Sequence, residues 1–419
     1  MKYTMLKEVC SIKMGQSPAS DSYNDNGKGV PFFQGNADFG ERYPVARKWC
    51  SAPLKMAEPE DILISVRAPI GALNYTKEEC CIGRGLAALT PNKSKVSPEF
   101  MFWLLKGKNT ELNSKGTGST FKAIGRKVLE EILVPDIGIE QQAEYSAILE
   151  KINGIIQLRK HELQKLDDLT KARFIEMFGD PVSNPLGWKK KTLKEVCIKL
   201  NDGTHFSPES FDTGEYKYVT AKNIKISGFD FTNITYVPEE VHRPIYERCN
   251  PELGDVLYIK DGVTTGIAMV NTLEEEFTLL SSVALLKQDR RIMNGHFLAA
   301  LLNNENMYTD IRSNMGGAAI TRLTIAKLNT IKVILPPIEL QEQFAAFVTQ
   351  TDKSKVAIQK SLEKTQLLFD ISIQKIRQTL LDFLIRPIPP FQCFQFLNCI
   401  VRATVPSWSA SFTCPLEVA

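Results

Sequence analysis

The stretch that decides the fold is residues 140–178, which read EQQAEYSAILEKINGIIQLRKHELQKLDDLTKARFIEMF. It contains no proline and a single glycine, Gly154. Its apolar residues recur at steps of three and four, which places them in one stripe on a helix with a charged opposite face. Gly179 and Pro181 follow, a combination that ends helices. The pattern predicts one long helix over residues 140–178, spanning roughly 57 Å and longer than a compact domain needs.

A second stretch without proline runs from residue 339 to residue 385 and carries a similar apolar stripe. Arg159 and Glu162 interrupt the first stripe and Lys355 interrupts the second, so each helix needs a specific partner. We therefore expect the two helices to pair, with two unrelated bundle helices as the alternative. The residues expected in the paired seam are Ile148, Ile152, Ile155, Leu166 and Leu169 on the first helix and Val348, Ile358, Leu362, Phe369 and Ile376 on the second.

The two halves of the chain carry the same motifs in the same order, which indicates an internal duplication. The run LKEVC occurs at residues 6–10 and again at residues 193–197. The further matches pair residues 61–64 with 255–258, 99–105 with 296–302, 116–118 and Lys127 with 316–317 and Lys327, 132–135 with 333–336, and 139–142 with 340–343. Each half is thus predicted to be a mixed domain followed by a long helix.

The mixed domains are predicted to be rich in strands, which makes the fold class α+β. Apolar runs bounded by glycine and proline predict strands at residues 61–66, 82–89, 256–259 and 282–287, and short helices at 98–106 and 295–303. The predicted organisation is a mixed domain at 1–139, a long helix at 140–180, a second mixed domain at 186–338, a long helix at 339–385 and an atypical tail at 386–419.

Composition narrows the class of protein. A chain of 419 residues with 43% hydrophobic and 24% charged residues is typical of a globular protein of two or three domains. The net charge of +3 is too small to indicate nucleic acid by itself. No signal peptide and no apolar run long enough for a bilayer is found, so a cytoplasmic protein with reduced thiols is expected. The nine cysteines form no C-x-x-C pair and the four histidines are scattered, which leaves no metal-site spacing.

The sequence carries no catalytic motif. It has no phosphate-binding G-x-x-x-x-G-K-[ST] loop, no G-x-S-x-G elbow and no Asn-Pro-Pro-aromatic tetrapeptide of the kind that adenine methyltransferases use. Residues 255–260 faintly suggest a nuclease acidic cluster, but E-x-K is missing and the counterpart at 61–66 has no lysine. An aspartate turn before a buried strand is the better interpretation, and no catalytic residue is assigned.

Polar loops mixing Gly, Asn, Gln, Thr, Lys and aromatic residues recur in both halves. Gln and Asn can bond adenine edges and Lys or Arg can reach guanine, while glycine-rich loops with hydroxyl groups suit phosphates. An ordinary polar turn is the alternative for any single loop, and His205 fits a turn better than catalysis. The candidate DNA-binding residues are Gln16, Ser17, Gln34, Asn36 and Lys122 in the first half and Thr204, His205, Lys222, Asn223, Lys225 and Arg322 in the second.

On these motifs, residues 1–385 resemble the specificity subunit of type I restriction–modification systems. The resemblance rests on GQSP with PFFQG, on DGTH with TAKNIK, and on the strands that lead through E-Q-Q into long helices. It implies two target-recognition domains, each reading half of a split sequence in double-stranded DNA, and two helices packed antiparallel as a spacer, in a pseudo-twofold repeat. It also implies two methyltransferase subunits and restriction/translocase subunits as partners, with S-adenosylmethionine, ATP and magnesium on those partners, no cofactor in this chain and no membrane.

Two other functions stay open at this point. A coiled-coil adaptor whose mixed domains bind proteins would also use paired long helices, and a nuclease with an unrecognised acidic centre would need the cluster at residues 255–260. The polar loops favour the DNA-specificity function over the adaptor. The tail after Arg386 has proline, cysteine and aromatic residues with almost no charge, and it departs from the family's pattern.

Overall fold

The structure is a computed structural model that describes residues 2–118, 122–313 and 322–382, with side chains through residue 373 of the last segment. The fold class is α+β, as the sequence predicts. The described residues form two compact units, which divide between Lys160 and His161 and between Gln359 and Lys360. Each long helix therefore contributes one part to each unit. The predicted tail lies outside the described residues.

The first unit is built from short strands and short helices around parts of the two long helices. Its helices are α1 (Leu6–Val9), α2 (Pro98–Gly107), α3 (Asn109–Ser114), α4 (Arg126–Glu130) and the first part of α5 (Ile139–Phe178). Its strands are β1 (Tyr3–Met5), β2 (Cys10–Met14), β3 (Tyr23–Asn24), β4 (Val30–Phe33), β5 (Trp49–Cys50), β6 (Met56–Ala57), β7 (Ile62–Ser65), β8 (Leu73–Tyr75), β9 (Cys80–Ile82), β10 (Leu86–Pro91) and β11 (Leu133–Pro135). They form sheets of order β2-β10-β7-β8, β3-β5-β4-β9-β6 and β1-β11.

The second unit repeats this plan. Its helices are the last part of α5, α6 (Leu193–Val196), α7 (Glu239–Arg248), α8 (Gly295–Leu302), α9 (Glu305–Ser313), α10 (Ile325–Thr330) and the first part of α11 (Ile338–Asp382). Its strands are β12 (Lys190–Thr192), β13 (Cys197–Asp202), β14 (Tyr216–Val219), β15 (Ile224–Lys225), β16 (Gly228–Phe229), β17 (Thr235–Val237), β18 (Val256–Ile259), β19 (Ala268–Val270), β20 (Phe277–Leu279), β21 (Val283–Gln288) and β22 (Lys332–Ile334). The sheets have the orders β13-β21-β18-β19, β17-β14-β20, β12-β22 and β15-β16.

The central four-stranded sheet of each unit is buried on both faces. In β7, Ile62 and Ile64 pack in the core that contains the helices, while Leu63 packs in a core shared with the second sheet. In β18, Val256 packs in the core that contains the helices, and Leu257 packs in the core shared with the sheet β17-β14-β20. Because successive side chains point to opposite faces, a strand covered on both sides reads as an unbroken apolar run. This is why the sequence marks these strands so clearly.

The internal repeat is confirmed by the sheet topology, since β2-β10-β7-β8 corresponds to β13-β21-β18-β19. Backbone hydrogen bonds correct the register of one sequence match. Leu6 N donates to Ile132 O (2.8 Å) and Leu193 N donates to Ile331 O (2.9 Å). Ile132 therefore corresponds to Ile331, whereas the motif match paired it with Val333, two residues further along.

Two buried glutamines tie the start of each long helix to its unit. Gln142 Oε1 accepts a hydrogen bond from Ser97 N (2.8 Å), and Gln341 Oε1 accepts one from Asn294 N (2.9 Å). Each glutamine also donates from Nε2 to a backbone carbonyl in the segment leading into its helix. Gln142 thus corresponds to Gln341, and the motif match that paired it with Gln343 is also two residues out.

The long helices α5 and α11 run antiparallel where they meet in the second unit. Lys355 Nζ lies 2.8 Å from a carboxylate oxygen of Asp167. Phe174, further along α5, packs against Phe344, which lies earlier on α11, with 5.6 Å between ring centroids. As the position on one helix rises, the position on the other falls. The expected antiparallel pairing is confirmed.

Most residues expected in the seam are at least half-buried. Ile152 and Phe369 are buried in the core of the first unit. The half-buried members are Ile148, Ile155, Leu166, Val348, Ile358 and Leu362. The side chain of Ile376 lies outside the described residues.

Leu169 does not belong to the seam. Its side chain is 49% exposed, whereas Phe174 on the same helix is buried. Half-buried Leu166 and Thr170 precede Phe174 at steps of four, so a residue three positions after Leu166 falls on the solvent side. The sequence stripe also missed Ile156, which is buried beside half-buried Ile155. Both errors come from an imperfect stripe that allows more than one phase.

One predicted strand is also wrong. Residues 82–89 form parts of two strands, β9 and β10, with Gly83, Arg84 and Gly85 between them. The apolar residues on both sides made the run look continuous. The glycines mark a turn, and this turn lies among the loops described next.

Candidate nucleic-acid interface

The polar loops of the first unit meet at one end of its central sheet. Gln16 N donates to Ile82 O (3.0 Å) and Gly83 N donates to Phe33 O (2.8 Å). Further backbone bonds join the turn after β7 to the turn before β10 and to the segment before α4. We call this group of segments the first loop cluster: residues 15–17, 34–36, 66–68, 83–85 and 122–124.

Glycines allow these segments to approach one another closely. A Cβ atom at Gly15 would lie 2.1 Å from Gly83 O, and one at Gly85 would lie 2.2 Å from Gln34 O. Both distances are far below van der Waals contact, so any side chain would push the segments apart. Gly15 and Gly85 therefore permit the close packing of the cluster.

The structure brings the predicted residues of the first half together. Gln16, Gln34 and Lys122 are exposed, and Ser17 and Asn36 are half-buried. The backbone beneath Gln34 is held by Asp38, whose Oδ2 accepts from Gln34 N at 2.7 Å. The cluster thus presents amide and lysine side chains on a fixed backbone. Residues 119–121 of the predicted loop lie outside the described residues.

Sequence reasoning missed two arginines in this cluster. Arg84 is exposed in the turn between β9 and β10, and its N–H lies 3.4 Å from Ser17 Oγ. Arg67 is exposed and forms a β-bridge with Ala123, next to Lys122. The basic side chains of Arg67, Arg84 and Lys122 therefore lie on adjoining segments. They give the cluster a local positive charge that the net charge of the chain does not reveal. Gly83 and Gly85, which flank Arg84, were the sequence signal for a turn that could have revealed it.

The second unit builds an equivalent cluster with the same backbone framework. Thr204 N donates to Leu279 O (2.8 Å) and Leu280 N donates to Val219 O (3.0 Å), as Gln16 and Gly83 do in the first unit. Leu323 N donates to Lys260 O (2.8 Å), as Ile124 N does to Val66 O (2.9 Å). We call this group the second loop cluster: residues 203–205, 220–222, 260–262, 280–282 and 322–323.

Four predicted residues of the second half are exposed, and two are not available to DNA. The exposed residues are His205, Lys222, Lys225 and Arg322. Thr204 is buried, with its hydroxyl bonded within its own turn. Asn223 is buried, accepting from Thr220 N (3.0 Å) and donating to Asp230 O (3.1 Å). The expectation that Thr204 and Asn223 contact DNA is corrected, because turn-forming hydrogen bonds occupy these side chains. Residues 316–321 lie outside the described residues.

A network of charges lies beneath the second loop cluster. Lys260 Nζ is 3.3 Å from Asp202 and 2.7 Å from Asp261. Arg322 Nε is 3.3 Å from the other oxygen of Asp261. His205 Nε2 is 3.2 Å from Asp202. Exposed His205 is thus hydrogen-bonded to one carboxylate and exposed Arg322 is ion-paired with another, and both carboxylates contact the same buried lysine.

The faint acidic cluster at residues 255–260 has a structural role. Asp255 is fully buried, and its Oδ2 accepts from Glu252 N at 2.9 Å in the turn before β18. Asp61 makes the same bond to Glu58 N (2.9 Å) before β7. Lys287 Nζ also lies 3.4 Å from Asp255. The interpretation as an aspartate turn before a buried strand is therefore confirmed.

The cysteines that the structure describes carry free thiols. Burial raises the pKa of Cys80 and of Cys249 to about 12, so neither is a thiolate nucleophile near neutral pH. Within residues 2–118, 122–313 and 322–382, no group of three or more His, Cys, Asp or Glu side chains is placed to hold a metal ion. In the same ranges no helix combines the length and the apolar character needed to cross a membrane.

Comparison with known proteins decides the family. The model of the type I restriction modification DNA specificity domain matches this chain twice, at residues 1–168 and 185–367. The chain belongs to the type I restriction–modification DNA specificity family. Each match covers one of the two repeats and most of the helix that follows it, so the internal duplication is a duplication of the specificity domain.

Similar proteins carry the same description. The type I restriction enzyme MjaIX specificity subunit of Methanocaldococcus jannaschii is 21% identical over 412 residues, covering 91% of both chains. The HsdS subunit from Thermoanaerobacter tengcongensis is 44% identical over 36% of this chain, with a TM-score of 0.34. This chain aligns with only 37–38% of the length of the relatives that are 43–46% identical to it.

A solved structure shares the fold over most of this chain. The S subunit of a type I restriction–modification system from M. genitalium matches with a TM-score of 0.56, at 15% identity. The match covers 89% of this chain and 95% of that one. At this identity the likeness concerns the fold alone.

Proposed function

We propose that this chain is the DNA-specificity subunit of a type I restriction–modification complex in which each specificity domain reads one half of a bipartite site. One observation carries the proposal. The two loop clusters share a backbone framework, yet they present different exposed side chains: Gln16, Gln34, Arg67, Arg84 and Lys122 in the first, and His205, Lys222 and Arg322 in the second. A common framework with different side chains suits domains that dock on DNA alike and read different bases.

The exposed side chains match the chemistry of base edges and phosphates. Glutamine amides such as Gln16 and Gln34 can bond adenine bidentately in the major groove, and arginine can do so with guanine O6 and N7. Lysine contacts phosphates as a point charge and sets position without reading sequence. Each cluster offers both kinds of group. A surface for binding proteins would not require this combination.

Partner subunits would supply the catalysis. We expect methyltransferase subunits, two in number, that use S-adenosylmethionine, and restriction/translocase subunits that use ATP and magnesium. This chain would direct methylation and restriction as the non-catalytic component. The long helices α5 and α11 are candidates for docking these subunits, because each enters both units.

The proposed function is tested by mapping methylation in cells. We expect a strain expressing this chain with its adenine methyltransferase to gain methyladenine in one split motif with an unread spacer, as detected by single-molecule methylome sequencing. Methylation should vanish when this chain is omitted. A purified chain that captures proteins but directs no methylation would support the adaptor function. DNA cleavage by the purified chain, lost on mutating Asp255, would support the nuclease.

We expect Arg84→Ala to relax recognition of the first half-site only. Loss of a bidentate arginine–guanine contact costs about 1–3 kcal/mol of discrimination. Arg84 is exposed in the first loop cluster and absent from the second, where Ser281 occupies the equivalent place. The measurement is the set of methylated sequences.

The matched control is Lys7→Ala, because exposed Lys7 lies on α1, at the opposite end of β2 from the cluster. It should leave both half-sites unchanged. If Arg84→Ala relaxed both half-sites equally, the assignment of one half-site to each domain would be wrong.

A further inference from the structure

Beneath the two loop clusters, one pair of equivalent positions is apolar in the first unit and charged in the second. In the first unit, Met14 ends β2 and Val66 follows β7; Val66 is buried in an apolar core, and half-buried Met14 packs against that core. The strand register and backbone hydrogen bonds make Asp202 and Lys260 their counterparts in the second unit. An apolar pair has thus been replaced by an ion pair in the same structural position.

The ion pair is buried, so its charges carry a desolvation cost that apolar side chains would not. Lys260 is 1% exposed and Asp202 is 3% exposed. Removing two charges from water carries a large desolvation cost, and apolar residues of similar volume often stabilise as well or better. The first unit shows that this framework folds with apolar residues at these positions. The two charges also make contacts that apolar residues could not: Asp202 lies near His205 and Arg248, and Lys260 contacts Asp261.

Lys260 holds a carboxylate that faces an exposed arginine. Its Nζ lies 2.7 Å from Asp261 Oδ2, and Asp261 Oδ1 lies 3.3 Å from Arg322 Nε. The backbones of Asp261 and Arg322 are also joined in a β-bridge, and the Arg322 side chain is 59% exposed. With Nε beside a fixed carboxylate, the terminal amino groups of the guanidinium remain for a ligand. A planar fork held in this way matches guanine O6 and N7.

We infer that Arg322 reads a guanine in the second half-site and that Lys260 is a positioning residue, which fixes Asp261 as the support of Arg322. This inference rests on the proposed function of the two domains. The first domain has no such device, because Val66 and Ala123 occupy the places of Lys260 and Arg322. The two half-sites therefore differ in how their arginines are held.

The test transfers the first unit's own residues into the second. Asp202→Met/Lys260→Val removes one charge of each sign, so the net charge and the salt dependence of DNA binding stay the same. The full chain, in complex with its methyltransferase, selects duplexes from a randomised pool. We expect enrichment of one guanine in the second half-site to fall roughly tenfold or more, with the first half-site unchanged. Val256→Ala is the control, because Val256 is buried in the same central sheet of the second unit at the end of β18 away from the loop cluster, and it should alter neither half-site.

Asp261→Ala provides a second variant that keeps the Lys260–Asp202 pair. It should lose the same guanine preference while its melting temperature stays within a few degrees of the parent. Retention of that preference in either folded variant would overturn the inference, as would a wild-type second half-site without guanine. If the wild-type complex enriched no bipartite sequence at all, the proposed function would fail instead.

Discussion

Replacing Phe344 by alanine is expected to lower the free energy of unfolding of the second unit by about 3–5 kcal/mol. Phe344 is fully buried, and its ring lies 5.6 Å from the rings of both Phe174 and Phe178. Phe297 of α8 stacks on the same group. Alanine would remove the ring contacts with both phenylalanines of α5 and leave a cavity in the core of the second unit. Denaturant titration followed by hydrogen-exchange mass spectrometry assigns the loss to peptides of the second unit.

The matched control is Leu169→Ala, in the seam as predicted from sequence but 49% exposed in the structure. Its effect should be within about 0.5 kcal/mol, since substitutions of exposed residues rarely matter more. Equal effects of Phe344→Ala and Leu169→Ala would mean that the sequence stripe is right and that the packing described for α5 and α11 is wrong. Loss of protection in first-unit peptides as large as in the second would contradict division into two units.

The large features of the fold were predictable because they rest on repeated patterns. The helices at residues 139–178 and 338–382 follow from long runs without proline, with a period that no strand shares. The strand at residues 256–259 was predicted with its observed bounds, because both of its faces are buried and its sequence is uniformly apolar. The duplication followed from motif order alone.

Register and exposure were not predictable from the same patterns. The match of Gln142 with Gln343 came from similar letters, whereas the hydrogen bonds of Gln341 reveal the true counterpart. Asn223 and Thr204 were chosen for their chemistry, but the same polar groups also cap turns. Whether an amide faces DNA or its own backbone depends on which way the turn closes. The sequence shows which donor and acceptor groups are present, but not which way the turn orients them.

Arg67 and Lys122 are expected to contact phosphates, and removing both should change the salt dependence of binding more than its sequence preference. Both side chains are exposed, and Ala68 N donates to Lys122 O (3.1 Å), which holds the two segments together. The logarithm of the binding constant falls with the logarithm of salt concentration by about 0.9 per phosphate contact. For Arg67→Ala/Lys122→Ala the slope should therefore become shallower by roughly two, with affinity reduced roughly fifty- to a hundredfold at 0.1 M salt.

Because this loss comes from counterion release, it should shrink as the salt concentration approaches 1 M, and the bases selected in both half-sites should stay the same. Lys7→Ala/Lys95→Ala is the matched control: it also removes two exposed charges from the first unit, at the opposite end of the central sheet. Titrations of full-length complex with DNA at several salt concentrations give both slopes. An equally shallow slope for the control would assign the attraction to the diffuse charge of the domain. An unchanged slope for Arg67→Ala/Lys122→Ala would show that these residues do not contact phosphates, because each lost phosphate contact lowers the number of counterions released on binding.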